Sequence, residues 1–386
     1  MAEARGMLIH QFFYKGRTKM NTLFSLWISI QQKLFPWLNE VLDPLTEKEK
    51  EFVRVAELAE VDKHIGPYRW IGNGRKPKDR KGMALAFIAK TIWNFPTTLA
   101  LIEFLKASKN LRRLCGWEQV REIPSESTFS RAFDEFSQGQ LPQIIHEAMV
   151  KKHLSEKLAG HVSRDSTAIE GREKPVLKNK ADGVESEKPK RGRGRPKKGE
   201  PKVEKPPKRL ELQPNRSLEE NLADLPQHCD VGVKKDSKGH IKTWIGFKLH
   251  LDTIDGDIPV SAYLTSASVH DSQVAIPLAQ MTQRRITNLY DLMDAAYDAP
   301  QIREFSQHMG HVPIIDHNPR RGEVLTMNPA QAVRYNERSS AERVNSNLKD
   351  NYGGRFVRVR GSAKVMAHLM FGIVALTAAQ LFQLLE

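Results

Sequence analysis

Residues Trp244 to Leu264 read WIGFKLHLDTIDGDIPVSAYL, and the alternation within them decides the fold class. Ile245, Phe247, Leu249 and Leu251 fall on one face of an extended chain, with Trp244, Gly246, Lys248 and His250 on the other. That is the period of a strand with one apolar face. Asp255-Gly256 then supplies the residue types of a tight hairpin turn, and Ile258 to Leu264 returns as the next strand.

Working outward, Val162 to Ile169 reads as a strand upstream of this hairpin. Downstream come a helix at Ser272 to Arg284, a strand at Leu289 to Ala295, a helix at Pro300 to Met309 and a strand at Val312 to Asp316. A helix opening at Asn328-Pro329 and an apolar C-terminal helix follow. Three strands, then helix, strand, helix, strand, helix is the element order of an RNase H-like domain, an antiparallel meander continued by parallel strands. From about Leu45 to Leu154 the patterns are instead helical. Met83 to Trp93 and Thr97 to Leu105 carry apolar residues at helical spacing, and Ser125 stands as the cap of a helix bearing Phe129, Phe133 and Phe136.

The chain has 386 residues, enough for two or three domains, and a formal net charge of +14. That balance points to a polyanionic partner, nucleic acid before anionic membrane. Cys115 and Cys229 lack metal-binding spacing, so neither a disulfide framework nor a zinc site is expected, and a reducing cytoplasm is the natural setting. Leu23 to Ile30 follows Lys15, Arg17 and Lys19 as in a signal peptide, but no small-residue cleavage site comes after it. Val365 to Leu385 is long enough to span a bilayer, yet its His368, Thr377, Gln380 and Gln383 favour a buried core helix over a membrane partner.

Chemistry concentrates in Tyr335, Arg338, Glu342 and Lys349, spaced Y-x2-R-x3-E-x6-K. On one continuous helix at about 100° per residue the four side chains share an arc of roughly 60°, while Ala341, Val344 and Leu348 form the inward back. An RNase H-like sheet places carboxylates on its first strand, at the end of its fourth and on the helix after its fifth. The candidates are Asp165, Asp294 and Glu342. Three converging carboxylates hold two divalent cations about 3.5–4 Å apart for in-line displacement at phosphorus, and hard oxygen ligands suit Mg²⁺ or Mn²⁺. Asp291 and Asp298 are the nearest rivals of Asp294. Strand alternation puts Asp291 on the opposite face, so only one of the pair faces the metals. Asp271, in His270-Asp271, reads as a helix cap.

Residues 171–225 are rich in Lys, Glu and Pro without an apolar period and are expected to be disordered. Within them the centre Arg193-Gly194-Arg195-Pro196, flanked by Arg191 and Lys197, resembles an AT-hook, an extended cation run lying in the narrow minor groove of A/T-rich DNA. The simpler alternative is a basic linker that binds any phosphate backbone.

Together these features resemble the DDE transposases of bacterial insertion sequences that carry the Y-R-E-K signature, over roughly Leu85 to Leu385. The resemblance implies an RNase H-like catalytic domain over residues 159–386, interrupted by the basic insertion. An all-α DNA-binding domain over residues 45–158 would precede it, after an extension, residues 1–44, of uncertain organisation. It implies Asp165, Asp294 and Glu342 as catalytic ligands of two Mg²⁺ or Mn²⁺, with Tyr335, Arg338 and Lys349 on the phosphates of the transposon end. The partners would be transposon-end and target duplexes, held in a synapse by a homodimer, in the bacterial cytoplasm at the nucleoid. Relatives that cut through a DNA hairpin carry a β-rich insertion and a stacking Trp between the second Asp and the Glu. Here the last Trp is Trp244, which leaves Tyr297 as the substitute ring. Two other readings stand beside this one: a nuclease on the same scaffold that does not join strands, and a transposase-derived DNA-binding protein without catalysis.

Overall fold

The computed structural model describes residues 44–66, 78–176, 207–235, 239–318 and 326–385. Among these, the first segments are helical: α1 (Glu47–Ala59), α2 (Val61–His64), α3 (Arg80–Ile92), α4 (Thr98–Ala107), α5 (Lys109–Leu114), α6 (Glu126–Gln138) and α7 (Leu141–Leu154). Their starts follow the capping chemistry of the sequence. Thr46 and Glu49 form a reciprocal capping box, and Asp79, Thr97 and Ser108 accept backbone N–H groups at the next three longer starts. Ser125 does stand at the N-cap of α6, but its hydroxyl bonds those of Ser127 and Thr128 rather than a backbone N–H.

The sheet is built from β1 (Leu158–Glu170), β2 (Asp230–Lys235), β3 (Ile241–Ile254), β4 (Ile258–Ser266), β5 (Thr287–Met293) and β6 (Val312–Ile315). β3 pairs antiparallel with β1, β2 and β4, whereas β5 lies parallel to both β1 and β6. The mixed order expected from the sequence is present, with β2 as an additional strand. β2 escapes a reading by apolar pattern because Val231 and Val233 are exposed.

Two further helices, α8 (Arg209–Leu212) and α9 (Leu218–Ala223), correct the expectation of disorder through residue 225. They dock on α10 (Ser272–Gln283). Gln213 donates to the Gln273 carbonyl at 2.6 Å, Asn221 donates to Gln280 Oε1 at 3.0 Å, and Gln280 donates to the Arg216 carbonyl at 2.9 Å. Leu222 and Leu225 join Val269, Val274 and Leu278 in a small apolar cluster. The spacing of Leu218, Leu222 and Leu225 is helical, a short period hidden in Lys, Glu and Pro.

The remaining elements are α11 (Pro300–His308), α12 (Pro329–Tyr335), α13 (Ser339–Asn351) and α14 (Ser362–Leu385). α14 is apolar on all sides and packs against α1, α3, α6, α7, α13 and β4. Phe371 on α14 meets Phe87 at 5.6 Å and Phe133 at 6.3 Å between ring centroids. A single apolar core thus runs from Phe52 and Phe129 in the leading helices to Phe247, Leu249 and Val260 in the sheet. By length and composition α14 would cross a membrane, but most of it is buried inside the protein, as its polar residues foretold.

Candidate active site

Strand register brings Asp165 and Asp294 together. β1 and β5 run parallel with Arg164 opposite Met293, so the next residues on the two chains are Asp165 and Asp294, on the same face. That face lies under α13: Asn345 donates to Asp165 Oδ2 at 3.1 Å, and Lys349 Nζ donates to Thr167 Oγ1 at 2.6 Å. Asp294 also ends its strand, accepting the Ala296 N–H at 2.9 Å as the cap of a 3-10 turn.

Both carboxyls are poorly compensated. Burial, with the nearby negative charge of Asp294 adding to it, pushes Asp165 up to about 6. Burial and the charge of Asp271 likewise raise Asp294. The cations acting on both aspartates are Arg338 and Lys234. A half-buried pair of oxygen donors raised in this way is the kind of set that a hard divalent cation neutralises, and it fits Mg²⁺ or Mn²⁺ in chemistry.

Glu342 lies in the first turn of α13, three residues before Asn345. Its carboxylate is exposed and turned to its own neighbour, with Arg338 Nη2 at 2.6 Å from Oε1. Among the described residues no three acidic, histidine or cysteine side chains stand close enough to hold one ion together. The two aspartates are therefore neighbours, while Glu342 pairs with Arg338 and forms no three-carboxylate cluster with them.

The segment that carries Tyr335 to Lys349 is not the single α-helix of the sequence reading. Residues Asn336–Arg338 form a 3-10 turn between α12 and α13. At about 120° per residue that turn rotates Tyr335 and Arg338 away from the uniform projection. Arg338 still lies over the Tyr335 ring, 5.7 Å from its centroid, and burial pushes the Tyr335 hydroxyl up to about 12. Burial lowers Lys349, and the positive charges of Arg355 and Lys234 lower it further. Three cations from α13, from the chain after it and from β2 thus converge at this end of the site.

The rivals of Asp294 are otherwise engaged. Asp291 is buried on the opposite face, bonded by Asn288, Ser306 and His311. Its burial, which by itself would raise it, is outweighed by His311, Arg164 and Ser306, which hold its carboxyl below the usual range. Asp298 pairs with Arg303 and accepts the Asn318 N–H. Two expectations are overturned. Asp271 makes no side-chain cap to α10; its carboxylate instead takes hydrogen bonds from Ser166 at 2.8 Å and Lys248 at 2.9 Å. Tyr297, at 1% exposure, is a core residue and cannot stack on a base. Sequence reasoning also missed Lys234, because a lone lysine in an unrecognised strand carries no signal. Arg191, Arg193, Arg195 and Lys197 lie outside the described residues, as do the AT-hook-like centre and most of the N-terminal extension.

Comparison with known families gives two matches. A family described as "Transposase DDE domain" matches residues 222–378, which include Asp294, Tyr335, Arg338, Glu342 and Lys349 but not Asp165, upstream of the insertion. A second, described as "Transposase domain (DUF772)", matches residues 39–135, most of the leading helices. Among characterised proteins no significant match is found. A DDE domain implies an RNase H-like fold, and the mixed sheet with the carboxylate pair at its parallel strand ends is consistent with one. With a DDE domain over much of the sheet and a transposase domain over the helices ahead of it, the two matches together indicate a DDE transposase of an insertion sequence.

Proposed function

We propose that this chain cuts DNA at the ends of an insertion sequence and transfers the freed 3′ ends into target DNA, in the manner of the Y-R-E-K group. The observation that carries the reading is the side-by-side placement of Asp165 and Asp294 beneath the helix that bears Glu342 and Lys349. Asp165, Asp294 and Glu342 would hold two Mg²⁺ or Mn²⁺ ions, which when bound supply a nucleophilic oxygen and charge stabilisation at phosphorus.

The chain's own residues do the positioning. Arg338 and Lys349 flank the carboxylates and hold backbone phosphates in line, with Tyr335 supporting the Arg338 guanidinium. A phosphate taken by Arg338 competes with Glu342 for the guanidinium and so frees the third carboxylate toward the aspartates. Residues 45–158 would recognise the end sequence. Arg191, Arg193, Arg195 and Lys197 would tether the protein to A/T-rich minor grooves, and a homodimer would hold two ends in the cytoplasm at the nucleoid. The net charge of +14 suits such a polyanionic partner.

The test is cleavage and joining of a labelled duplex bearing one flanking end, with Mg²⁺ or Mn²⁺, for the unmutated protein and Glu342→Ala. Nicking and joining by the unmutated protein, with a loss of at least about 100-fold in the variant, is the expected result. Nicking without joining would make the chain a nuclease. Binding by both proteins with no cutting by either would make it a tether.

A further inference from the structure

We propose that residues 353–361, the strap between α13 and α14, form a binding site for a DNA strand with an unpaired base, Phe356 stacking on the base and Arg355, Arg358 and Arg360 contacting phosphates. This rests on the reading that the chain handles DNA ends, and adds to it a site and a ligand class.

Phe356 is 61% exposed, and among the described residues no other phenylalanine, tyrosine or tryptophan stands so far out in solvent. It does not stand there for want of an apolar place. Val357 is buried and Val359 packs against the main core, so the extended alternation turns Phe356, Arg358 and Arg360 outward. Both ends of the strap are pinned. His368 donates to the Gly353 carbonyl at 2.9 Å, and the Gly361 N–H donates to Glu173 at 3.1 Å. Gly353 and Gly361 bracket it at φ values of 80° and 84°, which favour glycine. The ring is thus presented by a fixed backbone, with little ordering left to do on binding.

Position supplies the link to the carboxylates. Arg355 acts on Lys349, which is bonded to Thr167, two residues along β1 from Asp165. Arg355 is paired with Asp350, while Arg358 and Arg360 have no ion-pair partner among the described residues. An aromatic face set among cations is the chemistry that holds single-stranded nucleic acid: the ring stacks on any base, and the cations follow the backbone. Bases inside a duplex are already stacked on one another, so the ring gains only from a base that has left its pair.

The experiment uses the full chain and two labelled duplexes of equal length, one blunt and one with a short single-stranded 3′ overhang, with binding read by fluorescence anisotropy. The unmutated protein should prefer the overhang. Phe356→Ala should lose roughly ten-fold on the overhang, the contribution of one stacked base, and bind the blunt duplex as before. Phe356→Trp should retain the preference. Arg358→Gln should weaken both and lower the slope of log affinity against log salt by about 1. Equal loss on both duplexes for Phe356→Ala, or none on either, would overturn the stacking site while leaving DNA handling intact. No binding of either duplex by the unmutated protein would remove the reading beneath it as well.

Discussion

Arg164 and Asp165 are adjacent in the chain and point to opposite faces of β1. Asp165 turns to the candidate site, while Arg164 is buried against Asp252, with Nη2 2.7 Å from Oδ2 and Nε 2.8 Å from Oδ1. Arg164→Met would leave Asp252 buried with only Thr282 as a donor, at 2.6 Å. The expected cost is about 3–5 kcal/mol, read from the urea midpoint. A loss below about 1 kcal/mol would mean that Asp252 is kept neutral in the fold and needs no cation. At this scale the sequence is legible where strand alternation governs, as in the separation of Asp291 from Asp294. It is not legible where tertiary partners decide. Nothing local distinguishes an Asp271 that caps α10 from one that takes hydrogen bonds from Ser166 and Lys248, or a Tyr297 that is core from one that is exposed.

Among the elements, the hairpin of β3 and β4 declares itself by period and turn, whereas β2 and the docked helices α8 and α9 do not. The docked helices take their stability from partners distant in sequence, the amides of α10, and β2, though it pairs with the neighbouring β3, leaves its valines exposed, so in neither case does a local apolar pattern register. β2 is held on the first part of β3, and β3 passes Gly246 between that part and the rest. Gly246 has φ 152°, and a Cβ there would lie 2.2 Å from the Ile169 carbonyl oxygen and 2.4 Å from the Gly171 nitrogen. Gly246→Ala should therefore displace β2, and Lys234 with it, costing about 1–3 kcal/mol. Hydrogen exchange of the β2 amides reports this directly: faster exchange there with an unchanged rate in β5 is expected, and uniform protection would mean that β3 absorbs the methyl.

For the molecule as a whole, three buried histidines set the response to acid. Burial lowers His146 to about 3, His250 to about 4 and His368 to about 3. Below about pH 6.5 the unfolded chain takes up protons that these rings refuse in the fold, so their contribution to stability falls as pH drops. Asp165 and Glu57, raised to about 6 and about 7 by burial, act in the opposite sense. His146 Nε2 lies 3.0 Å from the Pro259 carbonyl, a bond that a glutamine amide can replace. Between about pH 7 and pH 5 the Tm of His146→Gln should fall less than that of the unmutated protein. Parallel curves would show that the ring is not held neutral.

α14 follows in the chain every element it packs against, from α1 to α13. The leading helices therefore emerge from the ribosome without the rod that closes their core, and they remain open until the last turns are made. On the function proposed above, a message cut short, or a ribosome that stalls, should release a fragment whose core is open and which is a poor competitor of the full-length protein for DNA ends. If the leading helices recognise DNA as proposed, dominant interference by partial products, a hazard for any protein whose recognition module folds first, should be weak here because of the order of the parts.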